Sequence, residues 1–158
     1  MNATTVAVDL AKNVFELVVA DGDWKIVERA RLTRTQFERW FQNREAGLVV
    51  MEACGSAHYW GRMLRARGIE VRLLPAQYVR AYVKRNKTDA ADAAALLEAV
   101  RASDIKPVAV KSVEQLGLQA LHRTRSAWMA GRTSRINMLR GFCREFGLEV
   151  PVGAVRGL

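Results

Sequence analysis

Four carboxylates stand out by type and spacing. Thr5-Val6-Ala7-Val8-Asp9-Leu10 is an apolar run that carries Asp9 near its end, and Leu48-Val49-Val50-Met51-Glu52 repeats the arrangement with Glu52. Desolvating a charge without a partner is costly. An acid at such a place is therefore expected at a strand end, reaching a cleft at the sheet edge. If the two strands are parallel neighbours, Asp9 and Glu52 converge there, and a bound cation offsets their repulsion. A third stretch, Lys87-Thr88-Asp89-Ala90-Ala91-Asp92-Ala93, places Asp89 and Asp92 three residues apart at a helix start, on one face. The helix dipole, with Thr88 as cap, accounts for Asp89 on structural grounds alone. It accounts less well for Asp92, at the end of the first turn. Together the four acids suit divalent cations, and Mg²⁺ (or Mn²⁺) fits an all-oxygen site. Two such ions about 3.5–4 Å apart activate the attacking oxygen and stabilise the leaving oxygen of a phosphodiester.

The elements that would position these acids can be read from periodicity. Strands are expected over about 4–10, 14–20 and 24–31, with Phe15, Leu17 and Val19 on one face of the second and Glu16 on the other. Asp21-Gly22-Asp23 is a hairpin turn signal. Phe37, Trp40 and Phe41 then recur at helical spacing over about 35–44, with Thr33 or Thr35 as cap. After the strand ending at Glu52, a helix over about 57–67 carries Trp60, Met63 and Leu64, and Gly68 stops it. Ile69, Val71 and Leu73 alternate in a fifth strand. A short helical piece over about 76–82, a basic loop and an alanine-rich helix over about 88–102 follow. This predicts an α/β, ribonuclease H-like fold: a mixed five-stranded sheet with flanking helices. Right-handed crossovers make the first, fourth and fifth strands parallel, with the first two of these side by side.

Beyond Pro107 no strand pattern remains. Residues 112–146 read as a long helix or a helical hairpin broken near Gly131, because each of Gly117, Gly131 and Gly141 weakens a helix by about 1 kcal/mol relative to Ala. Leu118, Leu121, Trp128, Ile136, Leu139, Phe142 and Phe146 suggest an apolar stripe. Arg123, Arg125, Arg132, Arg135, Arg140 and Arg144 suggest a basic face. An apolar stripe of this extent predicts a homo-oligomer, a dimer or higher. Trp24, Trp40, Trp60 and Trp128 read as core candidates, His58 as a packing or capping residue at a helix start, and His122 as solvated.

The chain has 158 residues, half of them hydrophobic, and a formal charge of +9. The excess is +3 over residues 1–80 and +6 over 81–158, which favours a polyanionic partner, nucleic acid above all. Lys84, Arg85 and Lys87, beside the acids, are expected to touch phosphates. Cys54 and Cys143 lie far apart without metal-ligand spacing, which argues against a disulfide framework and for a cytoplasmic protein. No apolar run approaches a membrane span, and no phosphate-binding glycine loop occurs.

Val6-Ala7-Val8-Asp9-Leu10-Ala11-Lys12, Met51-Glu52-Ala53-Cys54-Gly55-Ser56 and Lys87–Ala93 resemble, in order and spacing, the three acidic motifs of the DEDD transposases. These form the insertion-sequence-110 family, which includes Piv-type DNA invertases. The resemblance covers about residues 4–147 and implies a catalytic tetrad of Asp9, Glu52, Asp89 and Asp92 that also holds the metal. Cys54 stands where the family often has Thr. The resemblance further implies a RuvC-like domain over 1–106, a coiled-coil segment over 107–147 and a linker over 148–158. A C-terminal transposase domain, the family's source of a nucleophilic serine, would follow. The implied partners are DNA and a structured guide ("bridge") RNA. Two other readings use the same residues: a stand-alone RuvC-like junction nuclease, and a non-catalytic RNA- or DNA-binding scaffold with vestigial acids.

Overall fold

The computed structural model describes residues 4–42, 44, 46–82 and 89–151, and for 89–91 the backbone alone. The chain falls into two compact units, residues 1–112 and 113–158. The first unit is built on one sheet. Strands β1 (Thr5–Leu10), β2 (Val14–Ala20) and β3 (Ile26–Thr33) form an antiparallel meander. Strands β4 (Leu48–Glu52) and β5 (Glu70–Leu74) join it in parallel to β1, giving the order β3-β2-β1-β4-β5. This is the ribonuclease H-like order expected from the sequence.

Helices cover both faces of the sheet. Alternation along the strands sends Val6, Val8, Phe15, Leu17, Val49, Met51 and Leu73 to one face, where α1 (Arg34–Trp40) and α2 (Ala57–Arg65) add Phe37, Trp60 and Leu64. It sends Ala7, Val18, Ala20, Val50 and Leu74 to the other. There α3 (Ala76–Val79), continued by a 3₁₀ turn over Arg80–Tyr82, adds Val79, and α4 (Asp89–Ala99) adds Ala93, Leu96 and Leu97.

Local chemistry sets several element ends. β3 starts at Ile26 rather than at Trp24, because Trp24 adopts φ +62° in the turn. The Asp21 carboxylate accepts the Asp23 and Lys25 N–H groups there and fixes the turn. Thr33 caps α1 in a reciprocal box with Gln36. Gly68, at φ +79°, ends the turn after α2, with the Ile69 N–H on the Leu64 carbonyl and the Gly68 N–H on the Arg65 carbonyl. Val108 bridges the edge strand at Leu73.

The second unit is one uninterrupted helix, α5 (Val113–Glu145), followed by a short described tail. It does not break at Gly131. Thr133 would cap a new helix there, but its hydroxyl instead donates to the Met129 carbonyl one turn back. Interrupting the helix would orphan backbone groups on both sides, a larger cost than one glycine. None of the described side chains of α5 is buried.

Candidate nucleic-acid-processing site

The register of the sheet fixes two of the predicted acids. β1 and β4 pair in parallel up to Val8↔Met51, so the next residues along each strand are Asp9 and Glu52. Asp9 lies on the face of Ala7 and Glu52 on the face of Val50, which is the α4 side for both. Adjacent strands are about 4.8 Å apart, so the two acids are neighbours at the carboxyl ends of β1 and β4. Both are half-buried.

Helix α4 brings the third acid to this face. Ala93, Ala95 and Ala99 are buried beneath it, against Ala7 and Ala20 of the strands, and small side chains on both surfaces let helix and sheet approach closely. Asp92, in the first turn, is half-buried, and its Oδ1 is enclosed without a hydrogen-bond partner among the described residues. An unpaired buried carboxylate oxygen is costly and calls for an explanation such as a bound ion. Asp89 opens the same helix, but its side chain lies outside the described residues, as do Lys84, Arg85 and Lys87. Among the described residues, no three His, Cys, Asp or Glu side chains form a ready group for a metal ion. The donor set is nonetheless all carboxylate, as a hard divalent cation prefers, and the enclosed Asp92 oxygen, unpaired among the described residues, fits such an ion.

A fourth acid on this face escaped the sequence reading. In the β1–β2 hairpin Asp9 pairs with Glu16, and in the β2–β3 hairpin Glu16 pairs with Arg31. Opposed residues in antiparallel strands share a face. Arg31 Nε lies 3.2 Å from Glu16 Oε1. The signal was partial: Glu16 interrupts an otherwise apolar strand, but counting outward from a turn at Ala11–Asn13 would set Asp9 opposite Phe15, whereas the observed pairs Leu10↔Phe15 and Asp9↔Glu16 centre on the four residues 11–14.

His58 is not at the acids. It is buried at the start of α2, where its Nδ1 accepts the Lys111 backbone N–H at 3.2 Å. Burial, with Lys111 and Arg62 adding positive charge, holds its pKa below the ordinary 6.5. Arg62 also donates to the Lys111 carbonyl, so His58 helps tie the 108–111 segment to α2.

On α5, Arg123, Arg125, Arg132, Arg135 and Arg144 are exposed, while Arg140 is half-buried and donates to the Pro151 carbonyl. They do not form one basic face. On a continuous helix Leu118, Leu121, Arg125, Trp128, Arg132, Arg135, Leu139, Phe142 and Phe146 follow at alternating steps of three and four, so they share one line. Three of the arginines therefore interrupt the apolar stripe. Trp128 is not a core residue: it is 76% exposed among them. Trp24 sits in a turn with Arg101 over its ring, and Trp60 is the fully buried tryptophan.

A family profile described as "Transposase", of the DEDD insertion-sequence-110 type, matches residues 6–147. The chain belongs to this transposase family. It is 45% identical over 148 residues to a probable family 20 transposase of Pseudomonas aeruginosa. It is 40% identical over 149 residues to the transposase for insertion sequence element IS1111A of Coxiella burnetii. These alignments cover 94% of the chain but 44% and 41% of the relatives, so it spans less than half their length. A solved structure of Thermus thermophilus RuvC with a Holliday junction substrate superposes with a TM-score of 0.47 at 10% identity, covering 67% of this chain and 99% of that one. Among the described residues no helix is long and apolar enough to cross a membrane.

Proposed function

We propose that this chain is the metal-dependent catalytic part of a DNA transposase/recombinase that acts on phosphodiesters, with its RuvC-like domain extended from the expected 1–106 to 1–112, because residues 107–112 pack on that unit, followed by a helical segment to 147 and a linker over 148–158. The observation that carries this reading is the end-to-end placement of Asp9 and Glu52 on adjacent parallel strands, on the sheet face covered by the helix of Asp92. Asp9, Glu52, Asp89 and Asp92 would hold Mg²⁺ (or Mn²⁺), which supplies an activated oxygen and stabilises the leaving one. The protein's own contribution is placement. Asp9 and Glu52 are fixed by a paired backbone, and Asp92 is fixed by a helix packed across β1 and β2. A site built on strands and helices keeps its geometry without a loop rearrangement.

DNA is the proposed substrate, and a structured guide RNA the proposed second partner. The exposed arginines of α5 and the loop Lys84, Arg85 and Lys87 would contact phosphates with little sequence preference. The apolar ends of the α5 line, Leu118 and Leu121 at one end and Leu139, Phe142 and Phe146 at the other, would pair with a second copy. Arg125, Arg132 and Arg135 lie between them, where desolvating unpaired cations is costly, so a polyanion suits this middle section.

Mn²⁺ titration followed by electron paramagnetic resonance tests the metal assignment. Asp9→Asn or Glu52→Gln should each weaken binding by about tenfold or more, the scale of one lost charge-assisted contact. Replacing all four acids should abolish it. Unchanged Mn²⁺ affinity in the fourfold variant would refute the assignment.

A further inference from the structure

We propose that Arg31 is a phosphate-binding residue for the DNA strand entering the acidic site, and that Glu16 is the residue that positions it. This rests on the reading that DNA is brought to Asp9 and Glu52.

The geometry is a row across the sheet. Glu52, Asp9, Glu16 and Arg31 stand on β4, β1, β2 and β3 in turn, all on the α4 side. With strands about 4.8 Å apart, Arg31 lies two spacings, on the order of 10 Å, from Asp9. A nucleic-acid backbone presented to Asp9 and Glu52 has its neighbouring phosphates within that reach. Arg29 follows two residues away on the same face of β3 and is also exposed.

The ion pair has an orientation that suits this role. The Glu16 side chain is 19% exposed and that of Arg31 71%. Glu16 engages Arg31 through Nε, on the inner side of the guanidinium. A guanidinium offers five donors in a planar fork that matches phosphate oxygens. Anchoring Nε fixes that fork and reduces the entropy lost when the remaining donors engage a ligand. One Glu16 carboxylate oxygen is thus engaged by Arg31.

The pair has little to do for stability. β2 and β3 are already paired from Val14↔Thr33 to Ala20↔Ile26, and an ion pair this exposed at one end contributes roughly 0–1 kcal/mol.

The test is a fluorescence-anisotropy titration of the chain with labelled duplex and four-way-junction DNA across a salt series, with a structured RNA in parallel. Arg31→Gln should weaken DNA binding roughly tenfold at low salt, the low end for a charge-assisted hydrogen bond. It should also flatten the log-log salt slope by about one unit. Arg31→Lys should restore the slope but only part of the affinity, because it keeps the charge and loses the fork. Glu16→Gln should also weaken binding, by about threefold, although it removes a negative charge. It should add nothing once Arg31 is Gln, as two members of one unit behave. An unchanged salt slope in Arg31→Gln, or tighter binding in Glu16→Gln, as expected of an acid that merely repels DNA, would overturn the inference. Sensitivity confined to the RNA would overturn it as well. If the unsubstituted chain binds DNA with steep salt dependence and the variants match it, this inference alone falls. If the unsubstituted chain does not bind DNA, the proposed function falls with it.

Discussion

The two faces of the sheet are packed by different means. On the α1/α2 face Trp60 stands edge-on to Phe15 and Phe37, with ring centroids 5.3 and 5.0 Å away, and Phe37 stands edge-on to Phe41 at 5.1 Å. On the α4 face the buried cluster of described residues holds no aromatic ring: five alanines, Ala7, Ala20, Ala93, Ala95 and Ala99, are interleaved with seven larger aliphatic residues, among them Val18, Val50, Leu96 and Leu97. Large rings bury the most area and supply the cohesion of the domain. Small side chains bury less but let a helix come close to the strands that carry the acids. One face is organised for stability, the other for approach, and Asp9, Glu52 and Asp92 stand on the second.

Trp60 carries the largest expected effect. Trp60→Ala removes the hub of the aromatic face and should cost about 3–5 kcal/mol, measured by chemical denaturation. A loss below 1 kcal/mol would mean that the aromatic face is not the main source of stability. Ala93→Leu probes the other face. Overpacking there should cost about 1–3 kcal/mol, and it should also weaken Mn²⁺ binding, because it lifts α4 and Asp92 from the strands. An aromatic-face substitution of similar cost, such as Leu64→Val, should leave Mn²⁺ affinity unchanged in the folded protein. Equal effects of the two on the metal would erase the distinction.

His58 gives a smaller, pH-dependent test on the aromatic side. Its pKa is held below 6.5 in the folded state, so the unfolded chain binds the proton more readily. Stability should be fully present above pH 6.5 and fall as pH drops from there through the lowered folded value. His58→Asn should remove that part of the pH dependence. Smallest is the exposed ion pair of Glu70 and Arg72 on β5, at 2.8 Å. Arg72→Gln should change stability by less than about 1 kcal/mol, and a thermal melt showing a larger shift would point to a role beyond the pair.

Much of the first unit was legible in the sequence because its signals are local. Alternation in residues 14–20 and the acid-ended apolar runs reveal strands, and crossover handedness then makes Asp9 and Glu52 neighbours. Glu16 was harder, since its meaning depends on hairpin register. Alternation gives its face, but only the pairing with Asp9 and Arg31 places it in the row. Trp24 misled because an aromatic residue suits a strand, whereas the Asp21 carboxylate captures the turn backbone and forces Trp24 to positive φ. In α5 the glycines suggested a break, but helix propensity weighs single residues and omits the cost of creating two new ends. The continuous helix also changed the reading of its arginines, because the three-four line emerges only when no break resets the phase.

Anomalous X-ray diffraction from crystals of the chain grown with Mn²⁺ would locate the ion itself. A Mn²⁺ peak is expected on the α4 face of the sheet, with ligands from Asp9, Glu52 and Asp92 and with Asp89 beside them. A peak elsewhere with these carboxylates unoccupied at saturating Mn²⁺, or Asp9 and Glu52 found on opposite faces of the sheet, would contradict the metal assignment.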